Sequence, residues 1–294
     1  MNCHGRMTCV LPPVVDSSYL LAHPQAVRAD VRWYLDGRDG QAAFEQSHLP
    51  GAVWVDLDGG LAAHGLPAGE GRHPLPDPVD FAAAMGALGI GDDSVVVAYD
   101  DTGGMTAGRL VAMLRMIGRQ AALLDGGLAA WVAEGHPVQQ GPAEPLPSAH
   151  FTPAPWPAHR VASADETAAH AASGGAVIDA RSRERFTGEV TMIDPRPGHV
   201  PGARSAPWNS VLGPDGRLRP VAELRAHYEA LGAADGDVIA YCGSGVSACM
   251  NIVAMEHAGL EPARLYPASW SGWSSQPDRP VELGEARPWG GSDG

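Results

Sequence analysis

An internal repeat at the scale of a domain constrains the fold of this chain more than any other feature. Three short patterns occur twice, in the same order, along the 294 residues. The first pattern is a Pro-Gly-Ala turn, at 49–52 and 198–203. The second is a Leu-Gly turn before an apolar run, at 88–100 and 231–242, and the third is an apolar run before a tryptophan, at 121–131 and 263–273. Repetition in one order predicts that a single fold has been duplicated.

A proline-rich stretch separates the two copies. Residues 139–159 show no helical or strand periodicity, which is typical of a stiff connector. We therefore predict a first domain at 10–138, a linker at 139–159, a second domain at 160–283 and a tail at 284–294.

Each copy alternates short apolar runs with helical patterns. The strand candidates are 53–57, 95–99, 121–124, 176–179, 238–241 and 263–266. The helix candidates are 79–88, 106–117, 163–173, 220–231 and 246–258, the third of which begins with a capping-box pattern, Ser163 to Glu166. Strands separated by helices of this length form parallel sheets covered on both faces. The predicted fold class is α/β, with two doubly wound domains, each a mostly parallel sheet flanked by helices.

The composition excludes several classes of function. All 20 cationic residues are arginine, so there is no lysine for a Schiff base, a pyridoxal phosphate anchor or a GxxxxGK[ST] phosphate loop. A formal net charge of −14 disfavours nucleic acid and anionic membranes as partners. No apolar run approaches the ~20 residues that span a bilayer, and the N-terminus lacks a secretory pattern. With only four cysteines, no disulfide scaffold is expected, and the predicted location is the reducing cytoplasm.

Cys242 is the candidate nucleophile. It follows the apolar run 238–241, and ligands of such sheets bind at the carboxyl ends of the strands. The loop after it consists of Gly243, Ser244, Gly245, Val246 and Ser247. Its two glycines allow backbone N–H groups to turn inward toward an anion, and the N-terminus of the following helix adds positive charge. Both features favour a thiolate over a thiol.

Other interpretations of the cysteines are open. A lone cysteine on an apolar strand is commonly buried and inert, and Cys249, inside the predicted helix, is interpreted as a core residue. Cys3 and Cys9, near His4, resemble half of a metal site without a second ligand pair, so neither a metal nor another cofactor is expected. A cysteine-dependent phosphatase needs an arginine six residues after its nucleophile, and position 248 is alanine.

The loop from Cys242 to Ser247 resembles the active-site loop of the 3-mercaptopyruvate sulfurtransferases, tandem-domain rhodanese proteins with the pattern CG[ST]GV[TS]. Thiosulfate-preferring rhodaneses usually carry basic residues there, in a CRxGxx[RT] pattern. The resemblance covers nearly the whole chain. It extends to Asp179-Ala180-Arg181, Arg185-Phe186, Gly198-His199-Val200-Pro201-Gly202-Ala203 and Ser269-Trp270-Ser271-Gly272-Trp273. Asp100 matches the position of Cys242, in keeping with the catalytically silent N-terminal domain of that family.

The resemblance implies sulfur transfer in two half-reactions. The Cys242 thiolate attacks the sulfur of 3-mercaptopyruvate, a small-molecule donor, and pyruvate leaves. The resulting persulfide passes its sulfur to cyanide, a small thiol or thioredoxin. Backbone N–H groups of the loop, with the hydroxyls of Ser244 and Ser247, would stabilise the developing charge.

The family also implies further site residues. Arg185 matches the arginine that binds the substrate carboxylate, and Arg196 is the candidate for a second one, with Arg181 and Arg183 as competitors. The family's relay of aspartate, histidine and serine is matched by Asp58, His73 and Ser244, which would place the active site between the two domains. His48 and His199, in matching turns, are interpreted as structural, and no HExxH or HxH spacing indicates a metal site.

Three functions are therefore in competition. The first is a 3-mercaptopyruvate sulfurtransferase. The second is a thiosulfate:cyanide sulfurtransferase with the same persulfide chemistry, which is disfavoured because the loop offers no cation for a second negative charge. The third is a non-catalytic sulfur carrier or docking protein.

Overall fold

Two parallel sheets, one in each half of the chain, form the framework of the computed structural model, which describes residues 11–234 and 236–285. The strands of the first sheet are β1 (Val14–Val15), β2 (Val27–Asp30), β3 (Val53–Trp54), β4 (Val95–Tyr99) and β5 (Gln120–Leu124). Those of the second are β6 (Ala176–Asp179), β7 (Arg204–Ser205), β8 (Val238–Tyr241) and β9 (Arg264–Leu265). All neighbours are parallel, in the orders β1-β5-β4-β2-β3 and β7-β6-β8-β9. The predicted α/β class is confirmed.

Helices cover both faces of each sheet. In the first half they are α1 (Ser17–Ala22), α2 (Gly40–Gln46), α3 (Leu57–Leu61), α4 (Pro78–Ala87), α5 (Ala107–Met116) and α6 (Gly127–Ala133). In the second half they are α7 (Ala164–Ala172), α8 (Arg183–Thr187), α9 (Val221–Ala230), α10 (Ala248–His257) and α11 (Ser269–Ser274). Short 3-10 helices lie at Ala68–Glu70, Ala158–Arg160 and Trp208–Val211. No helix in the described ranges is long and apolar enough to cross a membrane.

The sequence patterns located the helices better than the short strands. All five predicted helices form, with ends shifted by no more than two residues, and the capping box of Ser163 and Glu166 is present. The strand predicted at 53–57 is wrong beyond Trp54, because the Asp56 side chain accepts the N–H of Asp58 at 3.1 Å and starts α3 there. Strands β1, β2 and β7 were not predicted, since two of them have only two residues and therefore no periodicity.

The duplication extends to individual contacts. His48 stacks on Phe44 and its Nδ1 lies 2.8 Å from the Phe44 carbonyl oxygen, while His199 makes the same two contacts with Phe186. The hydroxyls at the ends of the central strands also match, since Tyr99 accepts from the N–H of Leu49 and Tyr241 from that of Val200. Asp100 and Cys242, the next residues, therefore occupy equivalent positions, and both histidines hold their turns in place.

The two halves share one hydrophobic cluster, in which α5 packs on α10. Gly108 allows this close approach, because a Cβ there would lie 3.2 Å from the backbone nitrogen of Met250. At a second contact the 3-10 helix Ala68–Glu70 meets α11, where a Cβ on Gly272 would lie 2.5 Å from the Gly69 carbonyl oxygen. These two contacts bring the segment that follows Glu70 against the loop that follows β8.

The segment predicted as a linker lies along the first half. The N–H of Ala149 donates to the Gly86 carbonyl at 2.9 Å, and the Trp156 indole donates to the Pro76 carbonyl at 2.8 Å. Phe151 is buried against Phe81. The second half is therefore attached through a packed segment, which restrains its position relative to the first.

Candidate active site

The Cys242 sulfur lies inside the turn that follows β8. Its Sγ accepts a hydrogen bond from the Gly245 N–H at 3.1 Å, and the residue is 2% exposed. Gly245 has φ +78°, and a Cβ there would lie 2.5 Å from the Pro267 carbonyl oxygen, so only glycine fits. Helix α10 begins at Ala248, two residues later than predicted, and Val246 and Ser247 therefore belong to the loop. The loop geometry suits an anionic sulfur.

The equivalent turn in the first half holds a carboxylate instead. One Asp100 oxygen accepts the N–H groups of Thr102 and Gly104, and the other accepts the N–H groups of Thr106 and Ala107, all at 2.8–2.9 Å. The Thr106 hydroxyl donates to the same carboxylate. This turn is an anion site whose donors are taken by its own side chain.

Asp58, His73 and Ser244 form a continuous hydrogen-bonded chain across the domain interface. Ser244 Oγ lies 2.8 Å from His73 Nδ1, and His73 Nε2 lies 3.2 Å from Asp58 Oδ1. The Trp33 indole N–H donates to the other Asp58 oxygen at 2.9 Å. With Nε2–H directed at the carboxylate, Nδ1 accepts the Ser244 hydroxyl proton. We call these three residues the relay.

His73 in the relay is a neutral imidazole at pH 7. Burial lowers its pKa to about 4; the Asp58 carboxylate opposes this shift, and the guanidiniums of Arg109 and Arg72 add to it. A neutral imidazole with one nitrogen directed at a carboxylate can accept a proton at the other. The relay is therefore in the state that can withdraw a proton from Ser244.

Two arginines, one from each half, meet beside the loop. Arg185, on α8, donates from Nη2 to an oxygen of the buried Asp194 at 2.5 Å, and Arg72 donates from Nη1 to the other oxygen at 2.6 Å. Arg72 Nη2 also reaches the Gly243 carbonyl at 3.3 Å. Gly243 permits the close approach of both arginines, because a Cβ there would lie 2.9 Å from Arg185 Nη2 and 3.1 Å from Arg72 Nη2. The Nε of Arg185 is buried and has no hydrogen-bond partner among the described residues.

The structure does not bring Arg196, predicted as a second substrate residue, to the cleft. Its guanidinium donates to carbonyl oxygens behind α11, including those of Ser274 at 2.9 Å, Gln276 at 2.8 Å and Arg279 at 2.9 Å. Every nitrogen is occupied by the end of that helix and the turn after it. Arg196 therefore fastens the C-terminal segment, and the second cleft arginine is Arg72, which the sequence analysis missed although it adjoins His73.

The competing arginines are also engaged elsewhere. Arg181 is buried and paired with Asp179 at 2.6 Å, the same arrangement as Arg32 with Asp30 in the first half. Arg183 is a largely exposed residue that forms an ion pair with Glu285. Of the arginines that the sequence analysis considered, Arg181 and Arg185 line the cleft beside the loop. Arg181 is held in its pair with Asp179, so we take Arg185 as the substrate-binding candidate.

A cleft of about 250 Å³ joins these groups at the domain interface. Cys242, Gly243, Ser244, Val246, Ser247, Arg72, Arg181 and Arg185 line it, together with the apolar side chains of Trp33, Leu35, Met105, Met192 and Trp208. Gly245, predicted to bind substrate, acts from behind the loop through Cys242. The described part of the chain contains no group of three or more His, Cys, Asp or Glu side chains that could hold a metal ion, and Cys3, His4 and Cys9 lie outside it.

Comparison with known proteins agrees with this architecture. A family model described as a rhodanese-like domain matches twice, at residues 19–134 and 163–276. A probable 3-mercaptopyruvate sulfurtransferase from Pseudomonas aeruginosa is 40% identical over 270 residues, which cover 90% of this chain and 95% of that protein. A putative thiosulfate sulfurtransferase, SseB, from Mycobacterium tuberculosis is 41% identical over 260 residues, 87% of this chain and 90% of that one.

A solved structure is similar over the same length. The 3-mercaptopyruvate sulfurtransferase from Leishmania major superposes with a TM-score of 0.79 at 33% identity, covering 90% of this chain and 74% of that one. The fold and the site thus define a tandem-domain sulfurtransferase. This chain belongs to the rhodanese-like family.

Proposed function

We propose that this enzyme transfers sulfur from 3-mercaptopyruvate through a persulfide on Cys242 and releases pyruvate. The observation that carries the proposal is the convergence of a thiol in an anion-binding turn, two guanidiniums and the relay in one cleft. The names of the relatives from Pseudomonas aeruginosa and Leishmania major support this donor. In this proposal the first half is catalytically silent, because Asp100 fills its own turn.

The charge of the cleft supports a donor with one negative charge. The two arginines share one carboxylate, Asp194, so Arg72, Arg185 and Asp194 together carry one net positive charge. At neutral pH, 3-mercaptopyruvate carries one carboxylate and a mostly protonated thiol, whereas thiosulfate carries two charges. A substrate carboxylate bound by the guanidiniums of Arg185 and Arg72, which line the cleft together with Cys242, would place the donor sulfur near Cys242.

The first half-reaction needs no acid from solvent, because the proton that the leaving carbon requires comes from the donor thiol. The Cys242 thiolate attacks the donor sulfur, the S–S bond forms, and the C–S bond breaks with its electron pair staying on the methylene carbon. Ser244 takes the proton of the donor thiol while passing its own to His73, and the reverse transfer protonates that carbon. Thiolate and mercaptopyruvate thus become a persulfide anion and pyruvate.

The second half-reaction requires a nucleophilic acceptor, for which we propose cyanide, a small thiol or thioredoxin. A thiol acceptor attacks the outer sulfur and Cys242 leaves as a thiolate. Neither Cys242 nor Cys249 forms a disulfide. We also propose a reducing, cytoplasmic location, in which the Cys242 thiol stays available for the reaction.

The first test is the choice of donor. With cyanide as acceptor, kcat/KM for 3-mercaptopyruvate should exceed that for thiosulfate by at least about tenfold, because desolvating an unmatched second charge is costly. Steady-state kinetics with both donors at one ionic strength measures this. Thiosulfate is the second candidate, favoured by the name of the Mycobacterium tuberculosis relative. A preference for thiosulfate would establish it instead.

The second test concerns the two arginines. Arg185→Gln and Arg72→Gln should each lower kcat/KM by about 10- to 100-fold, chiefly through KM, because each removes a charge-assisted contact to the substrate carboxylate. Arg183→Gln is the matched control, since this neighbour of Arg185 is exposed and pairs at the surface. An unchanged KM in Arg72→Gln would remove Arg72 from the substrate site.

A further inference from the structure

Arg109, on α5 of the first half, lies under the active site of the second half. Its side chain is fully buried. Among the described residues no carboxylate forms an ion pair with it. A buried guanidinium without a carboxylate is destabilising unless another group with negative charge compensates it. The position of Arg109 therefore requires an explanation.

The guanidinium of Arg109 connects the two parts of the active site. Nη1 donates to the Gly245 carbonyl at 2.8 Å, and Gly245 is the residue whose N–H donates to the Cys242 sulfur. Nη2 donates to the carbonyls of Leu61 at 3.0 Å and His73 at 3.1 Å. One side chain thus holds the nucleophile loop and the relay histidine at a fixed separation.

The sulfurs of Cys249 and Cys242 both interact electrostatically with this charge. Burial lowers the pKa of Arg109, and negative charge at the Cys249 and Cys242 sulfurs opposes that shift. Cys249 cannot supply the anion at pH 7, because burial raises the pKa of its thiol to about 12. The compensating anion is therefore left to Cys242, as the thiolate or the persulfide.

We infer that Arg109 is a positioning residue that joins the Cys242 loop to the His73 segment and supplies the buried positive charge for the anionic sulfur of Cys242. This rests on the proposal that Cys242 carries the sulfur. It gives the first half a part in catalysis although its own turn is filled by Asp100. It adds a charged side chain to the loop N–H groups and the helix N-terminus, the two features that the sequence analysis expects to favour the thiolate.

The test measures the reactivity of Cys242 without any substrate. The alkylation rate with iodoacetamide, a neutral reagent, is followed against pH, with the modified cysteine identified by peptide fragmentation. The other groups that face the loop are Arg72, Arg185, His73 and the Cys249 thiol. In Arg109→Gln the midpoint of the alkylation rate against pH should move to a pH about one unit higher, which lowers the rate at pH 7 about tenfold. Arg109→Lys, which keeps the charge, should shift it less.

Arg115→Gln is the matched control. Arg115 lies on the same helix and also crosses the domain interface, to Glu256 on α10, but it does not contact the active site. This variant should alkylate with the wild-type profile even if its melting temperature falls. A folded Arg109→Gln protein with the wild-type profile would overturn the inference.

If Arg109→Gln does not fold, the inference can be tested on the wild-type protein by measuring its alkylation profile at two ionic strengths. A buried charge is shielded from salt, so the alkylation profile should be unchanged between low and high ionic strength. If salt moves the midpoint of the profile to higher pH, the positive charge that stabilises the Cys242 anion belongs to the partly exposed Arg72 and Arg185. That result would overturn the inference. Neither measurement depends on the donor, so a failure of the enzyme to use 3-mercaptopyruvate would leave the result interpretable.

Discussion

Cys242→Ser should lower kcat/KM for sulfur transfer by more than about 10⁴-fold, because the variant has no sulfur to attack the donor and cannot form the persulfide. Incubation of the wild-type enzyme with 3-mercaptopyruvate, without acceptor, should add about 32 Da, one sulfur atom, to the intact mass. The variant should show no such adduct. The turn should still fold, since a serine hydroxyl can accept the Gly245 N–H in place of the sulfur.

Cys249→Ala is the control for this experiment. Cys249 is the second residue of α10 and lies in the same peptide region as Cys242, and its thiol is fully buried and protonated at pH 7. The variant should keep the adduct of about 32 Da, assigned to Cys242 by fragmentation. Wild-type enzyme that acquires no adduct would exclude a persulfide intermediate and leave the carrier or docking interpretation. An adduct that persists in Cys242→Ser would assign the chemistry to another cysteine.

The turn that holds Cys242 was predictable because its signal is local. A strand, a cysteine and two glycines before a helix specify a turn in which a backbone N–H donates to the sulfur, and the strand, the turn and the start of the helix span only the eleven residues from Val238 to Ala248. The relay required the family resemblance, since Asp58 and His73 lie on the other half of the chain. Nothing in their own neighbourhood indicates that they meet Ser244.

The arginines illustrate what sequence patterns cannot contain. Arg196 and Arg72 both lie in loops rich in proline and glycine, and both are followed by proline within two residues. Which of them enters the cleft is decided by the packing of the 3-10 helix Ala68–Glu70 on α11, which carries Arg72 toward Gly243, while the end of α11 engages Arg196. Arg109 was not identified because it lies among apolar residues of an ordinary helical pattern, and its function depends on a contact between domains.

Ser244→Ala and His73→Gln should each lower kcat by about 10²- to 10³-fold and leave the KM for 3-mercaptopyruvate nearly unchanged. Each removes a member of the relay that we propose moves the proton, whereas the arginines that we propose bind the carboxylate remain. The double variant should be little worse than either single variant, because residues that act as one unit are not additive. Ser210→Ala is the control, since it removes another serine–histidine contact, of 3.2 Å to His227, outside the cleft.

The pH dependence distinguishes proton transfer from mere packing. The active form of His73 is the neutral one, and burial lowers its pKa to about 4, so kcat should be constant from pH 7 to about 5.5 and fall only as the pH approaches 4. Because the Asp58 carboxylate opposes that shift, Asp58→Asn should move the acidic fall to still lower pH while lowering kcat at pH 7. In Ser244→Ala the residual kcat should not show the acidic fall that protonation of His73 causes in the wild-type enzyme. A fall centred near pH 6.5 in the wild-type enzyme would mean that His73 is solvated during turnover and that the relay does not operate as the static geometry indicates.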